Sequence, residues 1–252
     1  MRWPALSQII PFRLSKVEDY LIQLVFPQYC ELCDKSMVQL GALCHECAQT
    51  LPKIKGPQCK VCSLELLEES WSGKCTDCSQ RSWFFHHVIA NYRFSDDIQK
   101  LIYTFKYKKG SYLAQNLAQI LAEALMSDER TSPIDPEEWM LTAVPLHFLR
   151  YRQRTFNQAE LLAKGVAQIT NIPYIQTLSR QRYTTQQVRL SRKARQRNIR
   201  GAFEPNGKPL LRKNVLLVDD VYTSGATVNE CARVLKTLGA EKVVILCLAR
   251  GV

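Results

Sequence analysis

The chain has 252 residues, 46% of them apolar, and a formal charge of +11. That is enough for one α/β domain plus a small appended module, and too apolar for a disordered chain. The charge is uneven: residues 1–80 and 81–140 each carry −1, and residues 141–252 carry +13, so the C-terminal half is expected to meet a phosphate-bearing partner, with a well-solvated basic surface as the plainer reading.

Met1–Pro11 lacks the apolar run and small-residue cleavage site of a secretory signal. The best candidate for a membrane span, Tyr20–Cys30, has only 11 uncharged residues, where about 20 are needed. The chain is therefore expected to be cytoplasmic, without a transmembrane segment. Within residues 1–28, apolar residues at Ile10, Leu14, Val17, Leu21 and Leu24/Val25 recur at helical spacing and predict an amphipathic helix. Packing on the body is the plainer role for it. Docking on a partner or a membrane surface is the sharper one.

Eight of the ten cysteines form four C-x-x-C pairs: Cys30/Cys33, Cys44/Cys47, Cys59/Cys62 and Cys75/Cys78. Disulfides are not expected in a cytosolic chain. Four copies within about fifty residues also exceed what redox chemistry needs. A C-x-x-C turn sets two thiolates one tetrahedral edge apart, and two such knuckles complete a four-thiolate zinc site. Residues 29–80 are thus predicted to be a double zinc ribbon with two structural Zn2+ ions. Sequential pairing is preferred, because each site then closes a short loop, and Pro52 and Pro57 punctuate the join. A cross-braced pairing of first with third and second with fourth stays open. Eight thiolates and two Zn2+ would bring the charge near +7 and make this module acidic. Cys231 and Cys247 fall inside a helical and a strand pattern and are expected in the core.

From residue 86 strands and helices alternate. Strands are predicted at His86–Phe94, Met140–Leu146, Val215–Asp219 and Lys242–Ala249. Helices are predicted at Tyr112–Met126 after Gly110, at Asn157–Ile169 with Asn157 as N-cap, and at Thr227–Leu238 before Gly239. The alternation implies a mostly parallel sheet flanked by helices over residues 86–252, with ligands at the carboxyl ends of its strands. The segment Val215–Thr227, VLLVDDVYTSGAT, lies at such an end. An apolar strand reaches two carboxylates, a small-residue turn follows, and a helix begins. Backbone N–H groups over Thr223–Thr227 and the helix N-terminus suit a phosphate. Thr223, Ser224 and Thr227 can add hydroxyls, Gly225 permits close approach, and Asp219 and Asp220 can accept from paired sugar hydroxyls. No lysine follows the glycine as a Walker A loop requires.

This stretch resembles the phosphoribosyl diphosphate (PRPP) signature of type I phosphoribosyltransferases. Three more stretches, Phe105–Gly110, Val144–Leu162 and Leu190–Phe203, together with the cysteine-rich region, resemble the ComF family of competence proteins, its ComFC branch in particular, over roughly residues 28–250. The resemblance implies that Asp219 and Asp220 hold the ribose hydroxyls, that Thr223, Ser224, Gly225, Ala226 and Thr227 hold the 5′-phosphate, and that Mg2+ accompanies PRPP. Arg150 and Arg154 become candidates for the pyrophosphate, since guanidinium forks match phosphate oxygens. Eight basic residues lie between Arg180 and Arg200 with no acidic residue among them, where the family has a mobile flap. Of these, Arg189, Arg192 and Arg195 are candidate contacts to pyrophosphate or to single-stranded DNA, with Tyr183 a candidate stacking platform. Phe148 and Thr155 depart from the family pattern, which has Pro and Gly there. The implied function is DNA uptake in natural transformation, beside a ComFA-like helicase at the inner face of the plasma membrane. An active phosphoribosyltransferase with a nitrogenous acceptor, and a PRPP-sensing binder, are the competing readings, and catalytic residues stay unassigned.

Overall fold

The four C-x-x-C pairs fold as two repeats of one backbone motif in a computed structural model, which describes residues 28–37, 42–66, 72–107, 110–184 and 192–251. The described chain divides into two units, Met1–Gln49 and Thr50–Val252. In the first, β1 (Gln28–Tyr29) and β2 (Ser36–Met37) form a short antiparallel ladder around the first knuckle. The Asp34 N–H returns to the Cys30 carbonyl at 2.9 Å with Asp34 at φ 56°. The second knuckle enters α1 (His45–Thr50). In the second unit the same turn recurs: the Ser63 N–H donates to the Cys59 carbonyl at 3.0 Å with Ser63 at φ 52°. Its partner knuckle enters α2 (Thr76–Ser79). The helix expected over residues 1–28 lies outside the described residues, apart from Gln28.

The second repeat is fastened to the α/β body. The Val88 N–H donates to the Val61 carbonyl at 2.8 Å, and the Ser63 hydroxyl to the Val88 carbonyl at 2.5 Å. The Arg130 guanidinium reaches the Lys60 carbonyl at 3.3 Å.

The body follows as β3 (His87–Arg93), α3 (Asp96–Tyr107), a 3-10 turn at Gly110–Leu113, α4 (Ala114–Met126) and β4 (Trp139–Ala143). Next come α5 (Phe148–Arg154), α6 (Gln158–Thr170), β5 (Leu178–Arg180), α7 (Arg192–Ile199) and β6 (Phe203–Pro205). The chain closes with β7 (Asn214–Tyr222), α8 (Ala226–Thr237) and β8 (Val243–Arg250). The main sheet has the order β3-β8-β7-β4 and all its pairs are parallel. β5 and β6 form a separate antiparallel pair. β8 is buried along its whole length and β7 from Val215 to Val218, as continuous apolar strands covered on both faces must be. Helices α4 and α6 meet where Gly165 faces Ala118: a Cβ built at Gly165 would stand 2.5 Å from the Ala118 methyl. Cys231 and Cys247 are both fully buried.

Three sequence expectations need correction. β7 does not end at Asp219 but pairs on through Val221↔Ala249 and Tyr222↔Arg250, so both carboxylates sit inside a strand. Helix α3 was not anticipated, although Ile98, Leu101, Ile102 and Phe105 make its buried stripe. The arginines after β4 stand on a helix, α5, that was likewise not anticipated. Its ends account for the two departures noted above. Phe148 occupies the first helical position, where proline is pre-organised. Thr155 is the left-handed C-cap at φ 68°, with its N–H on the Tyr151 carbonyl at 2.7 Å, where glycine carries no Cβ penalty. Thr155→Gly is therefore expected to stabilise the protein by about 0.5–1 kcal/mol, read as a rise in melting temperature. A fall would show that the Thr155 hydroxyl, 2.5 Å from the Arg154 carbonyl, outweighs the strain.

Candidate functional site

A cleft of about 280 Å³ opens where β7 carries Asp219 and Asp220, beside the segment that follows β4. Asp219, Asp220 and the whole turn Thr223–Thr227 line it, as do Arg150 and Arg154. The fold thus brings these sequence-predicted residues together around one space. Arg189 lies outside the described residues. Arg192 and Arg195 fall on α7, and their side chains are likewise outside them.

Local chemistry fixes each wall. Gly225 adopts φ 74° and caps α8, and the Ser224 hydroxyl oxygen lies 3.5 Å from the Ala226 N–H. Asn157 caps α6 by accepting from the Ala159 N–H at 3.2 Å, while its amide donates to the Val144 carbonyl at 3.0 Å. That pair of bonds closes the segment bearing α5 back onto β4. His147 caps α5, its Nδ1 3.3 Å from the Leu149 N–H. Arg150 is held by the Thr184 carbonyl at 3.0 Å. Arg154 donates to the Tyr107 hydroxyl at 2.7 Å and to Gln158 Oε1 at 3.2 Å.

Two cations of the cleft had no assigned role in the sequence reading. Lys106, at the end of α3, forms an ion pair with Asp220. Arg180, in β5, is mostly buried and lies over the Phe203 ring, 5.3 Å from its centroid. Burial, then Arg150, push its pKa down to about 10, which leaves it protonated at neutral pH. Burial and the adjacent Asp220 push the Asp219 carboxyl well above the ordinary range. Burial acts on Asp220 in the same sense, but Lys106 outweighs it and the net direction is down. Four cations around two carboxylates, one of them held towards its neutral form, make a cleft with a positive excess.

The two cysteine clusters are separate sites. Cys30, Cys33, Cys44 and Cys47 bring their sulfurs within 4.8 Å of one another, and so do Cys59, Cys62, Cys75 and Cys78, which is the sequential pairing. The Cys33–Cys44 and Cys62–Cys75 sulfurs are 3.7 and 3.6 Å apart, close to the edge of about 3.8 Å that a tetrahedron with 2.3 Å Zn–S bonds requires. The surroundings of the second cluster also suit a cation. Cys59 is drawn down to about 4 by its hydrogen bond from Cys62, while Cys62 is pushed up by that bond and by burial, and Cys78 up to about 12 by burial. Four buried thiols cannot ionise together unless a metal compensates them. Both clusters fit Zn2+ in closed, structural coordination.

Residues 21–79 match the family described as double zinc ribbon domain, and residues 108–251, more than half of the chain, match the phosphoribosyl transferase domain. Competence protein F of Haemophilus influenzae is 32% identical over 84% of this chain and 91% of its own length. The chain belongs to the ComF family. DNA utilization protein YhgH of Salmonella typhimurium is 28% identical over 90% of this chain and 99% of its own length. For competence protein ComFC of Streptococcus pneumoniae the figures are 26%, 83% and 88%. Among the described residues of this ComF chain, no helix is long and apolar enough to cross a membrane.

In this ComF protein the turn is built against its neighbours as well as along the cleft. A Cβ at Gly225 would lie 2.4 Å from the Tyr222 hydroxyl and 2.9 Å from the Trp83 ring. Gly225→Ala combines that overlap with a left-handed backbone. It is expected to cost about 2 kcal/mol or more, measured by denaturant midpoint. A midpoint within about 0.5 kcal/mol of wild type would show that the turn relaxes without cost.

Proposed function

We propose that the chain binds PRPP with Mg2+ in the β4/β7 cleft and handles single-stranded DNA during DNA uptake. The observation that carries the first half is the meeting of Asp219, Asp220 and the Thr223–Thr227 turn with Lys106, Arg150, Arg154 and Arg180 around one cleft. Two adjacent carboxylates suit the paired hydroxyls of a ribose. A turn entering a helix N-terminus suits its 5′-phosphate, and the cations suit a pyrophosphate. Which of them holds which group belongs to this reading.

For DNA, the support comes from rings paired with guanidinium groups beside the cleft. Tyr107, Phe148 and Tyr183 are each about half exposed or more. Arg154 lies over the first at 4.7 Å, Arg152 over the second at 5.6 Å and Arg150 over the third at 5.7 Å. Aromatic faces that stack bases, interleaved with cations for phosphates, are what sequence-tolerant single-strand binding needs. The names of the relatives, competence and DNA utilization proteins, are consistent with it. A ComFA-like helicase partner and a position at the inner membrane face follow from the family resemblance.

Calorimetric titration of Mg2+·PRPP into the zinc-loaded protein tests the cleft, and fluorescence anisotropy with a labelled thymidine oligonucleotide tests the surface. Saturable PRPP heat, and DNA binding that weakens with salt, are expected. Absence of PRPP binding would sink the cleft reading, and DNA binding unchanged in a Tyr107→Ala/Phe148→Ala double variant would sink the surface. A turnover reading draws on the same cations, which could take up the charge of a departing pyrophosphate. Pyrophosphate release with a nitrogenous acceptor is its measurement.

A further inference from the structure

β8 reads VVILCLAR and is buried throughout, yet it ends on a guanidinium: Arg250 is only 7% exposed. A buried charge needs compensation, and among the described residues no carboxylate pairs with Arg250. Its contacts run in two directions instead. Towards the second cysteine cluster, Nε donates to the Cys62 carbonyl at 3.1 Å, and Nη2 lies 3.8 Å from the Cys62 sulfur. Towards the cleft, Nη1 lies 3.3 Å from the Thr223 carbonyl, and the guanidinium stacks 4.9 Å from the Tyr222 ring centroid. The Gly251 N–H, next in sequence, holds the Tyr222 carbonyl at 2.7 Å. One side chain thus touches both a cysteine of the four-thiol cluster and the first residue of the turn that the cleft is built on.

We infer that Arg250 is a positioning residue that couples metal occupancy of the Cys59/Cys62/Cys75/Cys78 site to the geometry of the Thr223–Thr227 turn. Four thiolates around Zn2+ carry a net charge of −2, and that anion is the counter-charge which the Arg250 guanidinium faces. While it is present, Arg250 stays between Cys62 and Thr223 and fixes the Thr223 carbonyl. When the metal leaves and the sulfurs take up protons in its place, the negative charge that Arg250 faces is reduced, the buried guanidinium loses most of its counter-charge, and the turn loses its outer support. Groups beyond the ligands that orient a metal site commonly act in this direction. Here the same contact also runs outward to a second site.

The coupling is read without any ligand, by hydrogen exchange over residues 222–228 relative to helix α6 at 158–170, so that general destabilisation cancels. Cys78→Ser withdraws a metal ligand that is not among the Arg250 contacts, and is expected to raise relative exchange in 222–228 roughly tenfold. Arg250→Met is expected to do the same with both metal sites still filled, and the double variant to add nothing further. Arg250→Lys, whose single ammonium cannot span Cys62 and Thr223 at once, serves if the methionine variant folds poorly, with the same expected rise. Relative exchange in 222–228 that ignores Cys78→Ser, or that ignores both Arg250 substitutions, overturns the coupling. Titration with Mg2+·PRPP then joins it to the proposed function, on which this second readout rests: Arg250→Met should bind roughly tenfold more weakly at full zinc content. Wild-type protein that binds no PRPP would overturn the ligand reading, while the exchange comparison decides the coupling.

Discussion

Asp219→Asn is expected to weaken PRPP binding by about 10- to 100-fold while raising the melting temperature, and Asp220→Asn to weaken binding comparably while lowering it. Asp220→Asn removes a carboxylate acceptor of charge-assisted hydrogen bonds, which are worth roughly 1.5–3 kcal/mol apiece, and Asp219→Asn turns one of two acceptor oxygens towards the ribose into a donor NH2. The opposite effects on stability follow from their surroundings. Burial and the neighbouring Asp220 raise the Asp219 carboxyl. A raised carboxyl contributes stability that is complete below its unfolded pKa, about 4, and that is lost as pH rises through the folded value. At neutral pH Asp219 is therefore a burden on the fold, and a neutral amide of the same shape relieves it. Asp220 has the reverse sign, because its pair with Lys106 overrides burial. Its contribution is present above the unfolded pKa and is lost as pH falls through the lowered folded one. Asp220→Asn also strands the mostly buried Lys106 ammonium. About 1 kcal/mol each way, or roughly 2–4 °C, is the expected size. Calorimetry beside thermal melts at pH 7 reads both quantities. An Asp219→Asn protein that melts lower and still binds PRPP at wild-type affinity would refute the assignment.

Residues 219 and 220 were legible because an apolar run that stops on two acids before a small-residue turn has few packing explanations. What the sequence could not give was the company they keep. Lys106 reaches Asp220 only because α3 ends over the carboxyl ends of the strands, and no periodicity encodes that crossing. Arg180 lay in view within a basic run, but only the β5–β6 pairing separates it from its neighbours and turns it into the cleft. Helix α5 was missed for a local reason: with Phe148 and Thr155 in place of Pro and Gly, the usual start and stop signals are absent. β7 overran its expected end because pairing with β8 continues to Arg250, and strand length is set by the partner as much as by the strand. Arg250 did carry a signal: a lone charge closing a run of apolar strand residues marks a buried group that must be answered.

Zinc is expected to leave the two cysteine clusters in two well-separated phases. The fit of both clusters to four-thiolate coordination is alike, but their access to solvent is not. In the first, Cys33 is exposed and Cys44 and Cys47 are partly so. In the second, all four cysteines are buried, with none above 7% exposure. The second repeat is also pinned to the sheet by the Val61, Ser63 and Arg250 contacts. A chelator can attack an exposed thiolate site directly, whereas a buried one opens only with the structure around it. Structural zinc binding is worth on the order of 10 kcal/mol to the segment it folds, so the second site cannot be emptied cheaply. With a colorimetric chelator in excess, the first equivalent should be released at least roughly tenfold faster than the second, with little change in far-UV circular dichroism. The second should appear together with a partial loss of the far-UV signal, as the second repeat opens while the α/β body stays folded. A single release phase, or loss of the far-UV signal with the first equivalent, would show that the two sites share one opening event. The outcome bears on the cleft as well: only the slowly released metal faces Arg250, so a cell that strips the accessible zinc would leave the Thr223–Thr227 turn supported.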